Sequence, residues 1–149
     1  MLDSQVQSPQ PGRGAAPRAR REGLRIFVVE NHEDTRILLC VLLTQMGHAV
    51  QSAATMREAL RAIPASGCDV LVSDIGLPDG DGWELMQLLG ARRPRFAIAM
   101  SGRGMNGDRA RSRAAGFRHH LVKPTGPEQL AEILEHAEHE LRQRQAETA

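Results

Sequence analysis

Short apolar runs alternate with amphipathic segments along this chain, and that alternation limits the fold more than any other feature of the sequence. The clearest runs are 26–29, 70–73 and 96–100, which are apolar at nearly every position. Strands that are apolar on both faces are buried on both faces, which is typical of a parallel sheet between two layers of helices. The order of the segments therefore predicts an α/β fold, a doubly wound five-stranded parallel sheet.

Weaker apolar runs at 49–53 and 121–122 complete the five predicted strands. Apolar residues at helical spacing predict helices over 35–46, 55–63, 83–89, 108–115 and from Pro127 to about Leu141. Pro64 is expected to end the second of these helices. The glycine-rich stretches 76–82 and 102–107 are expected to be loops.

The pattern predicts one folded domain over residues 24–141. Residues 1–23 are rich in Pro, Gly and Arg and are expected to form a disordered tail. Residues 142–149 are polar and are expected to form the end of the last helix or a short tail.

Composition excludes several classes of protein. Lys and Arg number 19 against 18 Asp and Glu, and this near-neutral balance disfavours a chain built to coat nucleic acid or an anionic membrane. No apolar run approaches the roughly 20 residues that span a bilayer. Two cysteines, Cys40 and Cys68, are too few for a disulfide framework, and no apolar signal segment begins the chain, so we expect a cytoplasmic protein.

Polar side chains follow the predicted strands at the point where each strand ends. Parallel strands place their carboxyl ends at one edge of the sheet, where ligands bind. The polar side chains that we expect to meet at this edge are Glu30, Asn31, Asp74, Ser101 and Lys123.

This set of groups suits phosphoryl transfer. The carboxylate of Asp74 is a suitable nucleophile toward phosphorus. Glu30 and Asp74 are oxygen ligands of the kind that Mg²⁺ prefers, and the backbone carbonyl of Gly76 can add a further ligand. Lys123 can pair with one phosphoryl oxygen and Ser101 can donate a hydrogen bond to another.

The sequence resembles the receiver domains of two-component response regulators from about Arg25 to Leu141. The similarity lies in the spacing Asp74-x-x-x-Pro78-x-x-x-Gly82, in the pair Lys123-Pro124, and in the stretches IFVVENHEDT, DVLVSDIGLPDGDGWEL, AIAMSG and LVKP.

The resemblance implies a flavodoxin-like fold in which Asp74 accepts a phosphoryl group from the phosphohistidine of a sensor kinase. It further implies that Glu30 binds Mg²⁺, that Ser101 is a switch hydroxyl, that Lys123 pairs with the phosphate, and that the Lys123–Pro124 peptide is cis.

Two positions depart from the family pattern. Receivers usually carry two adjacent acids after the first strand, and here the second is Asn31, whose amide oxygen can ligate Mg²⁺ without adding charge. His120 stands where many members have Tyr or Phe as the partner of the switch hydroxyl, so we assign Ser101 and His120 to the switch.

The sequence thus predicts a stand-alone response regulator, not a turnover enzyme. Its expected partners are a sensor histidine kinase or phosphotransfer protein and an unknown downstream protein. A homodimer through the last helix is possible. We expect neither a DNA-binding domain nor a contact with a membrane. One alternative is a phosphorylation-independent adaptor, because Asn31 replaces an acid. A phosphohydrolase is disfavoured, since Gly76 stands where such enzymes place a second acid.

Overall fold

A computed structural model describes residues 23–102 and 109–148. The predictions of a disordered tail over most of 1–23 and of a loop through 103–107 concern residues outside these ranges. None of the helices in the described ranges is both long and apolar enough to cross a bilayer.

Seven strands and five helices alternate along the described ranges. The strands are β1 (Arg25–Val29), β2 (Ala49–Ala53), β3 (Val70–Asp74), β4 (Gly76–Leu77), β5 (Gly80–Asp81), β6 (Phe96–Ser101) and β7 (His119–Val122). The helices are α1 (Glu33–Gln45), α2 (Met56–Ser66), α3 (Gly82–Leu89), α4 (Arg109–Ala115) and α5 (Pro127–Thr148), with a 3-10 turn at Gly90–Arg92.

Five of the strands form one sheet in the order β2-β1-β3-β6-β7, and every neighbouring pair is parallel. The chain starts near the middle of this sheet, fills one side and then crosses to the other, which is the doubly wound arrangement. This confirms the predicted fold class. Because the order reverses beside β1 and β3, the groups that follow these two strands lie at the point where such sheets bind ligands.

The sheet is buried on both faces, as the continuous apolar runs predict. Alternate residues of β1 and β3 point to opposite sides. Val28 and Val72 pack in a core that also holds side chains of α1 and α5, whereas Phe27 and Leu71 pack in a core with α2 and α3. These four side chains are at most 1% exposed, and each contributes about 1.5 to 3 kcal/mol to folding.

Two sequence predictions about local structure are wrong. Helix α2 continues past Pro64 to Ser66 and ends at Gly67, whose φ of 63° is in the left-handed region. Proline removes the bond that its own N–H would make and its ring crowds the carbonyl four residues earlier, but the residues after it keep their own N–H groups and complete the last turn.

The predicted loop over 76–82 is also more regular than expected. Strands β4 and β5 form a short antiparallel hairpin in which Gly76 pairs with Asp81. The Asp81 carboxylate then accepts a hydrogen bond of 2.7 Å from the Glu84 N–H, so the hairpin leads directly into a capped α3.

Replacing Pro64 with Ala should stabilise the protein. The variant restores an N–H that can donate to the Leu60 carbonyl, and we expect a gain of about 1 to 2 kcal/mol in the free energy of unfolding. Urea unfolding measures this gain. Pro94→Ala, in the loop before β6, is the control because it restores no helical bond, and an equal gain in both variants would contradict the explanation.

The stability should also fall in mild acid because of His48. Its Nδ1 accepts a hydrogen bond of 3.0 Å from the Leu24 N–H, and burial lowers the pKa of His48 below its usual 6.5, although Glu138 opposes this shift. The unfolded chain therefore binds a proton at a higher pH than the folded one, so stability is lost as the pH falls below 6.5.

Urea unfolding at about pH 7.5 and about pH 5.5 measures this loss. The His48→Gln variant keeps an acceptor but does not titrate, so it should lose less stability than the wild type over this interval. An equal loss in both proteins would show that other groups cause the pH dependence.

Candidate functional site

Four strands deliver side chains to one edge of the sheet. Asp74 is the last residue of β3 and lies opposite Met100 of β6, so Ser101 follows at the same edge. Glu30 directly follows β1, and Lys123 directly follows β7. The parallel register thus brings together residues that are far apart in the sequence.

Lys123 joins the two carboxylates of the site. Its Nζ lies 2.6 Å from Glu30 Oε2 and 2.8 Å from Asp74 Oδ2. Glu30 is 1% exposed and Asp74 is 8% exposed, so both anions are largely withdrawn from water. The peptide bond after Lys123 is cis, as the resemblance implies. One partly buried cation therefore faces two buried anions, and the cluster carries one net negative charge when all three groups are ionised.

This imbalance shifts the ionisation of the cluster. Burial raises the pKa of Glu30, the bond from Lys123 opposes that shift, and the neighbouring Asp74 carboxylate adds to it. Burial alone would lower the pKa of Lys123, but the bonds to Asp74 and Glu30 outweigh it and the pKa is raised. The lysine is thus held as an ammonium, whereas Glu30 has to share its one cation. A second cation at this edge would relieve that cost.

The remaining predicted ligands lie on the open side of the cluster. Asn31 is exposed next to Glu30. Gly76 is also exposed, and its N–H donates a bond of 3.3 Å to Asp74 Oδ1. A Cβ built on Gly76 would meet no atom within 4 Å, so the space beside Gly76 is open.

The residues present fit Mg²⁺. The donors at the edge are oxygens, which this ion prefers, and they surround a cluster of net negative charge. Within 23–102 and 109–148 there is no group of three or more His, Cys, Asp or Glu side chains placed to hold a metal. This agrees with the amide at Asn31, because an acid at that position would form a set of three carboxylates with Glu30 and Asp74.

Ser101 and His120 contact each other directly. Ser101 is 1% exposed, and its Oγ lies 2.7 Å from His120 Nε2. The Lys123 N–H donates a bond of 2.7 Å to the Ser101 carbonyl, which ties the backbone of the two strand ends together. The structure therefore brings the predicted switch pair together beside the cluster of charges.

Sequence reasoning missed two residues behind this pair. Ser112 of α4 places its Oγ 2.7 Å from His120 Nδ1, and Trp83 of α3 donates its indole N–H to the same oxygen over 2.9 Å. Ser112 is 1% exposed. Nothing in its local sequence, RSRAA, marks it as different from a solvated helix residue, so only the tertiary structure reveals it.

Comparisons with known proteins agree with this geometry. The family model for the response regulator receiver domain matches residues 26–135. The transcriptional regulatory protein TcrA of Mycobacterium tuberculosis is 34% identical over 121 residues, which make up 80% of this chain and 47% of TcrA. The chain therefore spans about half the length of this curated relative.

Solved receiver structures have the same fold. A CheY-like response regulator receiver domain protein from Methanospirillum hungatei superposes with a TM-score of 0.76 and 27% identity over 82% of this chain and 98% of its own. The receiver domain of the sensor histidine kinase PA1611 from Pseudomonas aeruginosa superposes with a TM-score of 0.70 and 26% identity, over 78% of this chain and 98% of its own. The latter is described with a magnesium ion coordinated in its active-site cleft.

The Glu30→Gln variant should be more stable than the wild type at neutral pH without metal. The raised pKa of Glu30 means that the folded protein loses stability as the pH rises above 4.5 and the carboxylate ionises. Glutamine has the same shape, keeps an acceptor for the His32 N–H and leaves Lys123 paired with Asp74.

Urea unfolding in the presence of a chelator tests this expectation, with a higher midpoint predicted for Glu30→Gln. Glu135→Gln, an exposed position on α5, is the matched control and should leave the midpoint unchanged. A lower midpoint for Glu30→Gln would show that the bond to Lys123 outweighs the cost of burying the charge.

Proposed function

Because the chain belongs to the response regulator receiver domain family, we propose that it accepts a phosphoryl group on Asp74 and signals through a change of its surface. Receiver domains are signalling modules and not turnover enzymes. The observation that supports the proposal is the position of the Asp74 carboxylate, 2.8 Å from the Lys123 ammonium at the edge of the sheet where the parallel strands end.

The reaction is a transfer between two nucleophiles. A carboxylate oxygen of Asp74 bonds to the phosphorus of a phosphohistidine while the bond from phosphorus to the imidazole nitrogen breaks. The electron pair of the broken bond stays on the imidazole, and an acyl phosphate forms on Asp74. Lys123 is already bonded to Asp74, so its ammonium lies next to the charge that collects on the phosphoryl oxygens.

Glu30, Asp74, the amide of Asn31 and the carbonyl of Gly76 are the groups that would hold Mg²⁺. When bound, the ion supplies positive charge that offsets the repulsion between carboxylate and phosphoryl oxygens. The net negative charge of the cluster with Lys123 favours this binding. Asn31 brings an oxygen without a charge, so we expect weaker Mg²⁺ binding than a second acid would give.

Output depends on Ser101 and His120. The Ser101 Oγ lies 2.7 Å from His120 Nε2 in this structure, and a phosphoryl group on Asp74 offers the Ser101 hydroxyl a charged acceptor. A Ser101 hydroxyl that moves to donate to the phosphoryl group changes its contact with His120, and this couples the phosphorylation state to the position of β7 and α4 as a shift between two populations. The proposed donors are a sensor histidine kinase or a phosphotransfer protein, and the proposed target is another protein.

A phosphorylation-independent adaptor is the second candidate. The observation that favours it is the exposed amide at Asn31, which leaves two carboxylates in place of three. In that case the unmodified surface binds the partner.

Intact mass after incubation with acetyl phosphate distinguishes the two functions. We expect the wild type to gain one phosphoryl group in a Mg²⁺-dependent manner, and the Asp74→Asn variant to gain none. Asn31→Asp should lower the Mg²⁺ concentration needed by about tenfold, because it restores a charged ligand.

Asp79→Asn is the control acid, since this carboxylate accepts bonds from Met56 and Arg57 at the start of α2 and is not part of the charge cluster. Labelling that survives in Asp74→Asn would overturn the assignment. Labelling seen only in Asn31→Asp would favour the adaptor.

A further inference from the structure

Four side chains form a continuous line of hydrogen bonds from α3 to the end of β6. The Trp83 indole N–H meets Ser112 Oγ at 2.9 Å, and Ser112 Oγ meets His120 Nδ1 at 2.7 Å. His120 Nε2 then meets Ser101 Oγ at 2.7 Å. Four separate elements, α3, α4, β7 and β6, each contribute one of these side chains. The line therefore connects the switch hydroxyl to the helical layer.

The direction of these bonds follows from the chemistry of the first donor. An indole nitrogen only donates, so Ser112 Oγ accepts from Trp83. Its own hydrogen is then available for His120 Nδ1. A neutral imidazole that accepts at Nδ1 carries its hydrogen on Nε2, so it donates to Ser101. In this order the hydrogens of Trp83, Ser112 and His120 each have an acceptor within the line, and the Ser101 hydrogen is left over at the edge of the sheet that carries the charge cluster.

The opposite order of donors and acceptors leaves the spare hydrogen on Ser112 instead of Ser101. If His120 donated from Nδ1, Ser112 would accept twice, and its own hydrogen would need an acceptor outside the line. Ser101 and Ser112 are both 1% exposed, so water is not readily available to the spare hydrogen in either order, but the first order leaves it at the edge with the negatively charged cluster and the second leaves it on α4. Ser101 would then donate its hydrogen to His120, and that hydrogen would be withdrawn from the phosphorylation site.

Trp83 is well placed to fix the direction. The guanidinium of Arg111 lies over its ring, 4.0 Å from the centroid, and its helix begins at the Asp81 cap next to the β4–β5 hairpin. The indole is thus held both by a cation on one face and by a bond from its nitrogen. A donor held in this way occupies one lone pair of Ser112 Oγ and leaves the Ser112 hydrogen free to be donated to His120 Nδ1.

We propose that Ser112 and Trp83 are positioning residues that hold His120 as the Nε2–H tautomer, so that Ser101 accepts from His120 and keeps its own hydrogen for a phosphoryl oxygen. This inference rests on the proposed function for the last step only. The tautomer itself is a property of the unphosphorylated protein. A Phe or Tyr side chain at position 120 has no ring nitrogen and cannot carry this direction.

The tautomer is tested first, by nitrogen NMR of the histidine rings at about pH 8, above the ordinary pKa of an imidazole. His120→Phe identifies the signals of His120 by their loss. We expect the Nε2–H tautomer in the wild type and a loss of that preference in Ser112→Ala, where Nδ1 has lost its donor. A wild-type His120 in the Nδ1–H form, or a tautomer unchanged by Ser112→Ala, would overturn the proposal.

The consequence for Ser101 is tested with beryllofluoride, a mimic of the acyl phosphate, in the presence of Mg²⁺. Ser112→Ala should bind it about fivefold more weakly, which is the effect of one weakened hydrogen bond. Trp83→Phe keeps the ring without the N–H and should weaken binding in the same direction. Ser52→Ala, an exposed serine on β2, is the matched control and should bind as the wild type does.

The two experiments separate the possible failures. Full affinity in Ser112→Ala would overturn the positioning role, even if the tautomer is as expected. A wild type that does not bind beryllofluoride at all would overturn the proposed function, and with it the role of the Ser101 hydrogen. Alanine is a better helix former than serine, so Ser112→Ala is expected to fold.

Discussion

The contact of Lys123 with Glu30 and Asp74 is the constraint on which the rest of the structure depends. Two carboxylates are buried at the ends of neighbouring strands, and one ammonium compensates them. Such an arrangement is costly to fold, because both carboxylates lose most of their hydration and one of them remains uncompensated. The apolar cores on both faces of the sheet stabilise the strands enough to hold these charges together. The sheet is therefore a scaffold for an electrostatic cluster that would not assemble alone.

The parts of the molecule that could be predicted are those that a short stretch of sequence determines. The apolar runs of β1 and β3 are buried on both sides whatever the details of packing, so the sheet and the edge that holds Glu30 and Asp74 follow from them. Pro64 was misleading because a proline disturbs the turn before it, whereas the two residues after it can still continue the helix. The β4–β5 hairpin has two residues in each strand, which is too short to show an alternating pattern.

Ser112 could not be predicted for a different reason. Its proposed role depends on Trp83, His120 and Ser101, which lie 29, 8 and 11 positions away along the chain. Trp83 and His120 bond to Ser112 directly, and Ser101 is reached through His120. A serine in a short polar helix has no local signature of burial. Tertiary packing buries this serine and places it between Trp83 and His120, so its proposed positioning role can be recognised only once the arrangement of α3, α4 and β7 is known.

The chain contains one tryptophan and no tyrosine, and this has a practical consequence. Its near-ultraviolet emission comes from a single indole, whose N–H is bonded to Ser112 and whose face lies against Arg111. Indole emission responds to both the hydrogen bond and a nearby cation. The protein therefore carries an intrinsic optical reporter that is hydrogen-bonded to Ser112 and through it to His120, so that the proposed phosphorylation of Asp74 can be tested by rapid-mixing fluorescence with no label attached.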